Sequence, residues 1–133
     1  MNRVIVCGSR HWTDRNRIAD RLFELSLEHE NLDCTIVHGY AKGADRIAGQ
    51  EALKIGLLVE EHPADWNRHG NRAGPIRNTK MAELGAVLCI AFWDGGSVGT
   101  KDMIAKAKKH GIPVEIIMGD TSEARFEQPE LGL

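Results

Sequence analysis

Short apolar or β-branched runs alternate with helix-period segments along this chain, and the runs end in glycine-bearing or polar turns. The runs are residues 3–7 (RVIVC), 35–37 within DCTIVHG, 57–59, 86–92 (AVLCIAF) and 113–118 (PVEIIM). Each is short and bounded by turn residues, the mark of a strand buried on both faces. Between them, Ile18, Leu22 and Leu25 recur on one helical face after a Thr13 or Asp14 cap, and Ala44, Ala48, Ala52 and Ile55 recur on a second face that Gly56 ends. A third helix opens at Gly74-Pro75 and closes at Gly85. A fourth runs from a Thr100 cap through Met103, Ile104 and Ala107 to the cations Lys108, Lys109 and His110. Alternation of this kind predicts an α/β fold, a doubly wound, mainly parallel five-stranded sheet with helices on both faces.

At 133 residues and 42% hydrophobic, the chain suffices for one core and is too short for two. Residues 1–118 are expected to form that domain. Residues 119–133 (GDTSEARFEQPELGL) have no period and are expected to be an extended or disordered tail, whose Phe126 and leucines could dock on a neighbouring subunit. A net charge of −2 lacks the basic excess of a general nucleic-acid binder, so nucleic acid is not an expected partner. Cys7, Cys34 and Cys89 are widely spaced and read as buried free thiols. No charged-then-apolar leader and no apolar run of membrane-spanning length is present, so a cytoplasmic setting without membrane contact is expected.

In open α/β sheets the turns after the strands share one edge, where ligands bind. Two of these turns, residues 39–45 and 95–100, precede predicted helices and offer free backbone N–H groups beside a positive helix end, a combination that holds phosphate or carboxylate. Neither has the GxxxxGK or GxGxxG spacing, and a tight strand-to-helix connection explains either turn about as well. Trp12, Tyr40, Trp66 and Trp93 each fall just after or at the end of a predicted strand. Flat rings are therefore expected at the site mouth, suited to stacking on a base, with a core-capping or subunit-contact role as the alternative.

Cations concentrate in the same loops: Arg10, Lys42, Arg68, Arg72 and Arg77. Arg77 lies four residues before Met81 and seven before Leu84, which puts it on the inward face, where it needs a carboxylate or an anionic ligand. Asp45, Asp65, Asp94 and Asp102 supply acids on the same edge. Asp45 and Asp102 read equally as first-turn helix residues or as partners of a sugar, holding hydroxyls or stabilising an oxocarbenium-like centre. His11, His38, His62 and His69 match no zinc spacing, and no metal is expected.

The segments VCGSR-xW, VHGxAKGAD-xIA, HPADW, GPIRNxxM and GT-xDMI, in this order over residues 3 to about 115, resemble the SLOG superfamily, in particular its YspA-like branch. The resemblance implies a Rossmann-like domain whose glycine loops bind nucleotides or nucleotide-derived ligands such as ADP-ribose species. It also sets the chain beside the LOG phosphoribohydrolases and DNA-processing protein A. By motif, Arg77 stands where the LOG enzymes have a catalytic arginine, and Asp102 where their PGGxGTxxE motif has its acid. Here Trp93-Asp94 replaces the proline lead-in, an extra residue separates Gly96 from Gly99, and the acid is one methylene shorter, so binding is favoured over hydrolysis.

The expected ligand is thus a nucleoside phosphate or an ADP-ribose-like molecule, bound by a sensor or sequestering protein that requires no cofactor. Gly8, Ser9, Gly39, Lys42, Gly43, Gly95, Gly96, Gly99 and Thr100 would face phosphates, with Arg77 neutralising charge. Asp45 or Asp102 would hold ribose, Trp12, Tyr40, Trp66 or Trp93 would flank the base, and Arg10, Asp65, Asn78 and Ser97 would be further ligand contacts. The alternatives are an N-glycosidase or phosphoribohydrolase using Arg77 and Asp102, and a single-stranded-DNA or assembly module. A homo-oligomer, dimer or tetramer, is expected on family grounds.

Overall fold

The computed structural model describes residues 2–28, 33–119 and 124–127. In chain order the elements are β1 (Asn2–Gly8), α1 (Arg15–Glu28), β2 (Cys34–His38), α2 (Ala44–Lys54), β3 (Leu58–Glu61), α3 (Trp66–His69), α4 (Ala73–Leu84), β4 (Leu88–Trp93), α5 (Val98–Lys109), β5 (Val114–Met118) and β6 (Ala124–Glu127). A 3-10 turn, Gly70–Arg72, joins α3 to α4. The sheet order is β3-β2-β1-β4-β5-β6. Strands β1 to β5 pair in parallel, with Val4 opposite Ile36 on one side of β1 and Cys7 opposite Ala91 on the other.

The five parallel strands are those the apolar runs predict. The sixth strand is an addition: Ala124–Glu127, within the tail, pairs antiparallel with β5. An edge strand needs only main-chain groups to pair, so it can form without the apolar signature that identifies a buried one, and it covers an otherwise open edge. Residues 120–123 and 128–133 of the tail lie outside the described residues.

Two packed layers follow from the alternation of side chains on the strands. On one face Val4, Val6, Ile36 and Phe92 meet Ile18, Leu22 and Leu25 of α1 and Ala44, Ala48 and Ala52 of α2. On the other, Ile5, Val37, Ala91 and Ile116 meet Met81 and Ala82 of α4 and Met103, Ile104 and Ala107 of α5. The alanine face of α2 lets that helix ride close to the sheet. Glu115, buried in the middle of β5, is held by Arg21 of α1 through two hydrogen bonds, Nε to Oε2 at 2.7 Å and Nη2 to Oε1 at 3.0 Å. Such a fork satisfies a charge that the strand alone would leave stranded. Cys7, Cys34 and Cys89 are free and buried.

Three sequence expectations change. Helix α5 is capped by Ser97, whose Oγ accepts from Thr100 N, so Thr100 is not the cap and Asp102 lies beyond the first turn. Strand β3 runs to Glu61 rather than ending at Val59. Trp12 is spent on the core: it is buried, sits edge-to-face on Phe92 with centroids 5.4 Å apart, and donates from Nε1 to Asp14 O. The β1–α1 loop folds back over the sheet, so following a strand does not place this ring at the site mouth. No helix among the described residues is long and apolar enough to cross a membrane.

Candidate functional site

The chain turns from β1 toward β2 and β3, then crosses back to place β4 on the other side of β1. The β1 and β4 loops therefore diverge, and a crevice opens between them at the carboxyl ends of the strands, the switch point at which doubly wound sheets bind ligands. A cavity of about 570 Å³ occupies it. Gly8, Ser9, Arg10, Asp45, Arg77, Asn78, Gly96, Ser97, Gly99 and Thr100 all line it. A second hollow, about 630 Å³, adjoins it beyond β2 and is lined by Gly39, Tyr40, Lys42, Trp66 and others. Arg10, Ala41 and Arg77 are walls of both.

Arg77 is the hub of this edge. The inward face of α4 carries it under the 39–45 turn, where Nη1 donates to Gly39 O and Nε donates to Asn78 Oδ1. A Cβ on Gly39 would overlap the guanidinium, so this close approach requires glycine. Burial holds the Arg77 pKa below its ordinary value. No ion pair among the described residues includes Arg77, and its two hydrogen-bond partners are neutral. A cation removed from water in this way, open to a cavity, is a standing demand for an anion.

Both glycine turns are organised by their own aspartates. Asp45 Oδ2 accepts from Gly39 N at 3.0 Å and from Ala41 N at 3.3 Å. Burial raises its carboxyl to about 6, against the opposing pull of those two hydrogen bonds and of Arg77 and Arg10. Asp94 Oδ1 accepts from Gly96 N and Ser97 N at 2.8 and 3.1 Å, and Oδ2 accepts from Ser9 Oγ at 2.9 Å. These bonds hold the exposed Asp94 below the usual carboxylate range. The amides expected to cradle phosphate are thus largely filled by side chains within the same turns. What remains is the start of α5, where Val98 and Gly99 line the cavity at the helix's positive end.

Other predicted residues are placed elsewhere. Gly43, at φ +78°, packs the α2 start against the backbone of Ser9 and Arg10 and lines neither hollow, and Gly95, at φ +87°, serves the turn. Asp65 caps α3 by accepting from Arg68 N. Trp93 is half-buried and donates from Nε1 to Ser97 O, bracing the 94–100 turn. Asp102 bridges helices: its Oδ2 accepts from Asn78 Nδ2 and Lys106 Nζ, both at 2.9 Å, and it does not line the cavity. Tyr40 sits at φ +60° and lines the second hollow, but Arg46 lies 4.5 Å over its ring and His38 stacks at 6.3 Å. Trp66 is likewise exposed in this hollow, with Arg10 6.0 Å from its ring centroid.

Sequence reasoning passed over Ala41, Met81, Met103 and Arg46 as parts of the site. Asp94, expected only as an acid on this edge, organises the turn, a role that Asp-Gly-Gly-Ser signals because its carboxylate can turn back on its own backbone. The methionines had no such signal, because their spacing on α4 and α5 is that of any core face. Among the described residues no group of three His, Cys, Asp or Glu is placed to hold a metal.

The architecture is that of a Rossmann-like α/β domain with its crevice at the β1/β4 switch point. Residues 2–69 match the YspA, cpYpsA-related SLOG family, and the chain belongs to that family. It is 42% identical over 125 residues to Gene 61 protein of Mycobacterium phage D29, a match covering 90% of this chain and 98% of that one. The X-ray structure of TM1055, a structural genomics target, is similar in fold, with a TM-score of 0.63 at 20% identity over 86% of this chain and 72% of that one.

Proposed function

We propose that this protein binds a nucleoside phosphate or ADP-ribose-like ligand along the carboxyl edge of its sheet, as a sensor or sequestering protein. The observation that carries the reading is Arg77, a half-buried guanidinium walling two adjoining cavities, whose hydrogen-bond acceptors are both neutral and whose strongest influence of opposite sign is the buried Asp45 carboxyl. Arg10 and Lys42 add positive charge beside it in a chain whose net charge is −2. A phosphate at Arg77 replaces the lost hydration of the guanidinium with two charge-assisted hydrogen bonds. Membership of a SLOG family supports a nucleotide-related ligand.

Calorimetry across a panel of nucleotides and ADP-ribose tests this. Arg77→Ala is expected to weaken binding roughly 10–100-fold, with Arg77→Lys between it and the wild type. Equal affinity in all three proteins would refute the assignment.

Hydrolysis of the N-glycosidic bond is the second reading, and Asp45 is the observation that favours it. Its carboxyl, raised to about 6, lines the same cavity as Arg77, whereas Asp102 is occupied between α4 and α5. Base release detected by chromatography, abolished in Asp45→Asn and retained in Asp102→Asn, is the expected signature. No release from any nucleotide removes this reading and leaves binding.

A further inference from the structure

The two hollows that meet at Arg77 differ in charge. The switch-point cavity sets the cations Arg10 and Arg77 against the carboxyl groups of Asp45 and Asp94. The Trp66 hollow keeps the same two cations, adds Lys42 and Arg46, and has no aspartate or glutamate on its wall. None of these four cations makes an ion pair among the described residues. Of the acids nearby, Asp65 caps α3, and Glu61 lines a smaller hollow beyond Arg46 and not this one. In a chain of net charge −2, a concave wall of one sign is a focus for an anion carrying more than one charge.

The cations are also held in place. Arg77 engages Gly39 O and Asn78 Oδ1 through Nη1 and Nε, and its Nη2 donates to no group among the described residues. That free nitrogen is on the Trp66 side: a Cβ on Gly74 would lie 3.8 Å from it and 3.4 Å from Trp66 Cη2. Arg10 is 6.0 Å from the Trp66 ring centroid. Arg46 lies 4.5 Å over the Tyr40 ring and donates from Nε to Tyr40 O at 3.2 Å. A guanidinium over an aromatic ring keeps N–H groups available to a ligand while its position is fixed. Tyr40 supplies its ring from a left-handed backbone, φ +60°, a conformation unfavourable to a bulky residue and met where a site requires it.

We propose that the Trp66 hollow takes a chain of two or more phosphates, so that the ligand is a nucleoside diphosphate or a diphosphate ester whose sugar end reaches the switch-point cavity. The inference rests on the nucleotide reading above and adds where the phosphates lie and how many are read. The first phosphate meets Arg77 Nη2, and the next meets Arg46. Two linked phosphates carry more charge than Arg77 can match, which gives Lys42 and Arg46 their use. In the switch-point cavity the carboxyl groups of Asp45 and Asp94 repel phosphate and suit the hydroxyls of a sugar. Trp66 and Tyr40 then serve as shelves for arginines and not as platforms for a base.

Calorimetry in metal-free buffer with AMP, ADP, ADP-ribose and inorganic pyrophosphate, on the wild type and on Arg46→Ala, tests this. Arg46 is exposed on a helix, where alanine is well tolerated. The wild type is expected to bind ADP at least about tenfold more tightly than AMP, and to lose ADP more steeply as sodium chloride is added. Arg46→Ala is expected to weaken ADP and ADP-ribose about tenfold and to leave AMP unchanged, with Arg46→Lys between it and the wild type. Equal affinity of the wild type for AMP and ADP, or equal weakening of both in Arg46→Ala, overturns the phosphate-chain subsite while the nucleotide reading stands. Pyrophosphate bound by the wild type and weakened in Arg46→Ala, with no nucleotide bound, supports the anion subsite and overturns the nucleotide reading. Binding of none of the four overturns both.

Discussion

The 39–45 and 94–100 turns flank the switch point and share a plan, an aspartate carboxylate gathering backbone N–H groups at the start of a helix. Their settings differ. Asp45 is buried and its carboxyl is raised to about 6, because desolvation outweighs its hydrogen bonds. Asp94 is exposed and its carboxyl is lowered, because with little desolvation the same kind of hydrogen bond dominates. One local motif therefore gives two electrostatic outcomes, and burial chooses between them. The buried turn can hold a proton near neutrality, and the exposed one is a fixed anion bracing a loop.

The difference should show most strongly in sterics. Gly43 of the buried turn has φ +78°, and a Cβ there would lie 2.6 Å from the Arg10 carbonyl group and nearer still to Ser9 O. Ser9 O also accepts from Ala44 N at 3.1 Å, so neither loop can retreat without breaking that bond. Gly43→Ala is expected to cost about 3 kcal/mol or more in chemical denaturation, combining left-handed strain with backbone overlap. A cost under about 1 kcal/mol would show that the two loops are not locked together.

Titration should separate the two aspartates by sign. The Asp45 carboxyl lies near 3.8 unfolded and about 6 folded, so the folded state holds its proton more tightly. Its contribution is fully present below the unfolded value and is lost as pH rises through about 6, up to about 3 kcal/mol in all. Asp94 runs the other way: its contribution is present above the unfolded value and is lost as pH falls through its lowered folded value. Asp45→Asn should remove the loss of stability between pH 4 and pH 6 seen by urea denaturation, since an amide oxygen can still accept both N–H groups. An unchanged pH profile in Asp45→Asn would contradict the buried, raised carboxyl.

The same contrast marks what the sequence could say. Apolar runs located β1, β2, β4 and β5 because burial leaves a compositional trace, β3 was found by its Leu-Val run although it is an edge strand with Leu58 exposed, and helix period put Arg77 inward. β6 left none, since edge pairing uses the main chain. Trp12 was misplaced because position after a strand does not tell whether a loop folds back on the core. In Ser97-Val98-Gly99-Thr100 two cap-type residues compete, and the Asp94 turn, which holds the Ser97 N–H, favours Ser97. The Arg21–Glu115 fork joins residues 94 positions apart, so nothing local announces it. The histidine spacing spoke only against zinc at His38, although Gly49 inside a helix is a readable sign that a side chain packs there.

The smallest effects are expected in the exposed turn, where water can stand in for what is removed. Asp94→Ala frees Gly96 N, Ser97 N and Ser9 Oγ, and both amides are on exposed or half-buried residues, so the expected cost is about 1 kcal/mol. Asp45→Ala, by contrast, strands the buried Gly39 N–H and should cost about 2–3 kcal/mol. Gly99→Ala has nothing within 4 Å of its Cβ and a negative φ near the start of α5, so it should leave stability within about 0.5 kcal/mol, or raise it slightly. Its informative readout is affinity: a methyl group at this position stands on the cavity wall beside the α5 amides. Unchanged stability with weakened ligand binding would mark the exposed turn as a contact surface, whereas weakened stability with unchanged binding would assign it to the scaffold and leave recognition to Arg77 and the buried turn.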